Sequence, residues 1–119
     1  MERIRFITHQ GKEILLVDLS NCSAKEVERI ARSVPTHVTA QARGSVLLLA
    51  DLTGASFDRE AIRSMKESAV FDKPHIKKTA WIGADSLPHV YQDGLRTFSR
   101  RSFPTFRSRE EALDWLVTE

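Results

Sequence analysis

Three short stretches gather the residue types that do chemistry: Asp18-Leu-Ser-Asn21, Asp51-Leu-Thr-Gly54 and Gly83-Ala-Asp-Ser86. Each closes an apolar run, so each reads as the carboxyl end of a strand, where ligands and partners dock in an open parallel sheet. With the loops and helix starts that follow, they supply Asp18, Ser20, Asn21, Asp51, Thr53, Ser56, Asp58, Asp85 and Ser86. Carboxylates on neighbouring strand ends can hold a magnesium ion for phosphoryl transfer. One known arrangement for that chemistry sets an acidic pair at one strand end, a phosphorylatable aspartate at another and a lysine on the last strand. Asp18 has no acidic neighbour, and the last apolar segment offers Arg107. The plainer assignment is helix caps and turns, the places Asp and Ser prefer. No metal site is expected.

A second cluster is basic. Residues 94–109 hold Arg96, Arg100, Arg101, Arg107 and Arg109 with no acid, and Phe98, Phe103 and Phe106 interleave with them. Arginine forks match phosphate oxygens and aromatic rings stack on bases, so a phosphate, an anionic headgroup or RNA could be held there. The competing reading is a solvated loop whose phenylalanines belong to the core. Cys22 lies just before a helix start, where a thiol can become acidic, although lone cysteines mostly behave as small hydrophobes. His9, His37, His75 and His89 have no metal-ligand spacing. Neither a Gly-x-Ser-x-Gly elbow nor a Gly-x-Gly-x-x-Gly or Walker loop is present, so hydrolase, dinucleotide and nucleotide chemistry lack a motif.

The elements that must position these residues follow from periodicity. Ile4 and Phe6 alternate with Arg3, Arg5 and Thr8, and Gln10-Gly11-Lys12 turns the chain into the apolar run from Glu13 to Leu19. That is an antiparallel hairpin. Ser23-Ala-Lys-Glu26 is a capping box for a helix that buries Ala24, Val27, Ile30, Ala31 and Val34 and stops at Pro35. A strand over 46–52 follows, then a helix capped by Asp58 with Ile62, Met65 and Ala69 as its buried stripe. Thr79–Gly83 reads as a short covered strand and Ser86 as the start of a further helix. Phe103–Phe106 reads as an edge strand, and Ser108-Arg-Glu-Glu111 caps a last helix burying Ala112, Leu113, Trp115 and Leu116. The expected fold is α/β: one domain over 1–119, with a single mixed, mostly parallel sheet of four to five strands. An antiparallel hairpin forms its N-terminal edge, and about four helices pack on it.

Composition agrees. The chain has 119 residues, 41% of them hydrophobic and 29% charged, which is the make-up of one ordinary globular domain. The single cysteine excludes an internal disulfide and suits a reducing, cytoplasmic setting. No apolar run approaches the roughly 20 residues of a membrane span. A formal charge of +2 is too small to argue for a nucleic-acid partner.

The stretch Val46-Leu-Leu-Leu-Ala-Asp-Leu-Thr-Gly-Ala-Ser-Phe-Asp58 resembles the STAS family, which includes anti-anti-sigma factors and the cytoplasmic domains of sulfate transporters. The wider likeness, from Ile14 to Glu110-Glu-Ala-Leu-Asp-Trp-Leu116, is to small bacterial STAS-like proteins grouped with the CRAL-TRIO lipid-binding fold. Anti-anti-sigma factors continue past the phenylalanine with Asp-Ser-Ser-Gly, whose serine is phosphorylated at a helix N-terminus. Here Asp58, Arg59, Glu60 and Ala61 stand instead, so the resemblance implies a binding scaffold without that switch. It implies a non-enzymatic regulatory module without a cofactor, binding a protein partner through Asp51, Thr53, Gly54, Ser56, Asp58 and Arg59. The alternative expectation is a carrier or sensor of a small anionic or amphipathic ligand, held near Phe57, Phe71 and Trp81 or by Arg96, Arg100 and Arg101. An exposed edge strand would also permit two-fold self-association.

Overall fold

The computed structural model describes residues 3–83 and 105–118. The N-terminal hairpin is β1 (Ile4–His9) and β2 (Lys12–Asp18), closed by Gln10 and Gly11, both at positive φ. Two residues in that conformation match the twist of paired strands. After it come α1 (Ala24–Val38), β3 (Val46–Asp51), α2 (Arg59–Asp72), a single 3-10 turn (Lys73–His75) and β4 (Ile76–Ile82). The described chain ends with β5 (Thr105–Phe106) and a helix, here α3 (Arg109–Val117). Among the described residues five strands form one sheet in the order β1-β2-β3-β4-β5, antiparallel between β1 and β2 and parallel elsewhere. The expected α/β sheet and its antiparallel edge hairpin are present. Three helices lie among the described residues, while the helix expected from Ser86 falls outside them.

Each face of the sheet has its own core. Alternate residues Leu15, Val17, Val46, Leu48, Ala50 and Trp81 meet Val27, Ile30, Val34 and Val38 of α1 and Ala61 of α2. On the opposite face Ile14, Leu16, Leu47, Leu49, Ala80 and Ile82 pack beneath Ala112 and Leu116 of α3. The runs Ile14–Val17 of β2 and Val46–Ala50 of β3 are apolar without interruption, as strands covered by helices on both faces require. Truncating a fully buried leucine such as Leu15 or Leu49 would cost roughly 2–5 kcal/mol.

Three local features depart from the periodicity. α1 runs through Pro35 to Val38, because Val38 is fully buried and rewards one more turn. The Thr39 backbone N–H and hydroxyl both donate to the Pro35 carbonyl, at 2.8 and 2.7 Å, at the C-cap of the helix. α2 buries Ala61, Ser64, Ser68 and Asp72, while Ile62, Met65 and Ala69 are half-buried. Ser64 faces α1, where Arg32 Nε donates to its Oγ at 3.4 Å, and the Ser68 hydroxyl donates to Asp72 Oδ2 at 3.0 Å, so both buried serine side chains are satisfied within the helix pair. β4 starts at Ile76, three residues early, because Ile76 and Lys78 pair with Val46 and Leu47 of β3, and Lys78 Nζ from there reaches the α3 carbonyls. Among the described residues no helix is long and apolar enough to cross a membrane.

Candidate functional site

A strand order that never reverses places the carboxyl ends of β2, β3 and β4 side by side. Asp18 pairs with Asp51, and Asp51 with Ile82. The parallel ladder continues past the strands into the loops. Leu19 N–H donates to Asp51 O and Leu52 N–H to Ile82 O, each at 2.8 Å, and Asn21 N–H donates to Thr53 O at 2.8 Å. Ser56 N–H donates to Cys22 O at 2.9 Å. These bonds fuse the loops after β2 and β3 into one rim. Gly54 and Gly83 both hold positive φ there; a Cβ on Gly54 would overlap the Asn21 side chain, and one on Gly83 would come within 2.6 Å of the Thr53 nitrogen. At Gly83 only glycine lets the two backbones approach so closely.

Beneath the rim, the two carboxylates are already engaged. Asp51 Oδ1 accepts from Thr53 N–H at 3.0 Å, and its Oδ2 accepts from Arg109 Nε at 2.8 Å. Asp18 Oδ1 accepts from the Ser20 backbone N–H at 3.0 Å and from its hydroxyl, with Arg109 Nη2 at 3.3 Å and Arg3 Nη1 at 3.6 Å. Burial by itself pushes the Asp18 carboxyl up, but the Ser20 hydrogen bonds, Arg109 and Arg3 together hold it below its ordinary range. Burial would lower the Arg109 guanidinium; Asp51 and Asp18 outweigh that and raise it. One guanidinium therefore sits where a bridging cation would have to sit. Among the described residues no group of three or more His, Cys, Asp or Glu could hold a metal ion.

No family model matches the chain, and no curated protein matches it either.

The residues expected at the strand ends fall into two classes. Thr53, Gly54, Ser56, Asp58 and Arg59 are exposed along the rim, whereas Asp51 is a buried post beneath them. Asp58 caps α2, accepting from Ala61 N–H at 2.8 Å. Asn21 is exposed at φ 56° beside Gly54. Phe57 is half-buried against the helix-side core. Cys22 is 1% exposed, and burial pushes its thiol up, the opposite of an activated nucleophile. Asp85, Ser86, Arg96, Arg100 and Arg101 lie outside the described residues. Arg109 is the residue whose role periodicity missed. It follows the Ser108 cap directly, and nothing local signals that it reaches two strand ends.

A separate cavity of about 80 Å³ lies between the sheet and the helices α1 and α2, lined by Val17, Val34, Leu48, Met65 and Trp81, with Ser68, Asp72 and Thr79 as its polar groups. Trp81 is thus brought to this cavity. Phe71 is 63% exposed on α2 and does not line it.

Proposed function

We propose that this domain is a non-enzymatic docking module of STAS-like type that binds a protein partner through the rim from Asp51 to Arg59, joined by Asn21. The observation that carries the reading is the contrast within the rim. Thr53, Gly54, Ser56, Asp58 and Arg59 face solvent, while the backbone that presents them is fixed by loop-to-loop hydrogen bonds and by the buried Asp51. A surface ordered before encounter loses little entropy on binding. The carboxylates that could serve as acids, bases or metal ligands are taken up internally by Ser20, Thr53 and Arg109, which supports binding over catalysis. Asp58, Arg59 and Glu60 follow Phe57 with no serine among them, so occupancy here would not be governed by phosphorylation at that helix start.

A second reading, a carrier of a small amphipathic ligand, draws on the cavity lined by Trp81 and Met65. Its volume of about 80 Å³ admits only a few carbon atoms, far below the roughly 300–1,000 Å³ of an ordinary ligand pocket. Affinity capture from cell extract with the native chain and with the double variant Ser56→Arg, Arg59→Glu separates the two. A protein retained by the native chain and lost by a folded variant is expected. Equal retention by both, or a co-purifying small molecule with no protein, would count against rim docking.

A further inference from the structure

α3 is tied to the sheet at both ends by charge. At its start, Arg109 bridges Asp18 and Asp51. At its end, Lys78 Nζ donates to Trp115 O at 3.1 Å and Thr118 O at 2.6 Å, and lies 4.7 Å from the centroid of the Trp115 ring. Lys12 Nζ donates to Val117 O at 3.1 Å. Lysines at the carbonyl end satisfy groups that a helix leaves open and oppose its dipole. Between the ends, His9 Nε2 and Asp114 Oδ1 are 2.8 Å apart.

The helix itself is short, at 9 residues, and a helix of that length does not persist alone in water. It is therefore docked and helical, or undocked and unwound; these are two discrete states. The N-terminal tie connects those states to the rim. Each of the two carboxylates holds a loop amide (Ser20 or Thr53) and the Arg109 guanidinium at the same time. When Arg109 leaves, two close carboxylates lose their shared cation, and mutual repulsion acts on the groups that fix both loops.

We propose that α3 is a strap whose docking sets the order of the rim loops through Arg109, so that the lysine clamp at its far end regulates the rim. The biological consequence rests on the rim being the docking surface, whereas the coupling lies within this chain. Lys78 acts roughly 13 Å from Arg109, one helix length at 1.5 Å per residue, and touches neither rim loop.

Amide hydrogen exchange on the full chain tests the coupling. Lys78→Met keeps the stem and removes the charge. It is expected to speed exchange at Leu113–Val117 by about two- to fivefold, the range set by the loss of a helix-end charge. The Ser20 and Thr53 amides are expected to speed up by a matching factor, with Leu48 and Ala50 unchanged. Arg109→Lys, which keeps charge but loses the fork, should speed Ser20 and Thr53 directly. Faster exchange in α3 alone, no change anywhere, or an equal rise in the central strands would each overturn the proposal. A native chain that captures no protein would sink the docking reading and leave this coupling standing.

Discussion

Arg109 Nε lies 2.8 Å from Asp51 Oδ2, joining the first turn of the last helix to a strand end 58 positions earlier in the chain. The Asp51 side chain is 8% exposed and that of Arg109 39%, so the pair is closed to solvent on the carboxylate side only. Breaking a fully buried pair costs about 3–5 kcal/mol by stranding a charge, and exposure of the guanidinium discounts that. Arg109→Gln and Asp51→Asn should each lower stability by roughly 1–3 kcal/mol, with the double variant losing less than the sum. Urea unfolding of the four proteins measures this; strictly additive losses would show that the two side chains do not interact.

Asp18 links stability to pH. Its folded carboxyl is held below its ordinary range, so the ionised form is favoured by folding. The resulting stability is present above the unfolded value of about 3.9 and is lost as pH falls through the lower folded value. The chain should therefore weaken below about pH 4, and Asp18→Asn should flatten that acid limb. Denaturant midpoints between neutral and acid pH are the check, and an equally steep limb in the variant would contradict the assignment.

Gly83 should be far less replaceable than Gly11. Both hold positive φ, but a Cβ on Gly83 meets the Thr53 backbone at 2.6 Å while one on Gly11 meets nothing within 4 Å. Gly11→Ala is expected to cost about 1–2 kcal/mol from backbone conformation alone. Gly83→Ala adds the displacement of Thr53, for a total of roughly 2–4 kcal/mol. Thermal melts of the two variants decide this, with similar midpoints as the contrary result.

Cys22 should be inert. It is buried in the helix-side core, and its thiol is pushed up by that burial, with Glu26 and Asp18 adding to the shift and Arg3 opposing it. Iodoacetamide at neutral pH should label the folded chain much more slowly than the urea-unfolded chain. Equal rates would place the thiol at an open, activated position.

Much of this architecture was legible in the residues. The runs Ile14–Val17 and Val46–Ala50 have no polar interruption, so burial on both faces could be read directly. Both helix-capping serines, Ser23 and Ser108, and Asp58 accept from the expected amides. What escaped was decided by partners distant in sequence. Lys77 and Lys78 look like loop residues until α3 supplies carbonyls for Lys78. Ser64 and Ser68 are buried where the periodicity put Ile62, Met65 and Ala69, because Ser64 meets Arg32 of α1 and Ser68 bonds Asp72. Asp18 and Asp51 were visible as strand-end acids, but their engagement by Arg109 needed strand order, which no local pattern contains.

Amide chemical-shift mapping of the labelled chain against its captured protein partner tests the docking role most directly. The rim account predicts that the shifts gather at Ser20 and Asn21 and along Thr53–Arg59, leaving the cavity residues Val34 and Met65 unmoved. Shifts confined to the cavity, or to the exposed face of α2 around Val70 and Phe71, would contradict it.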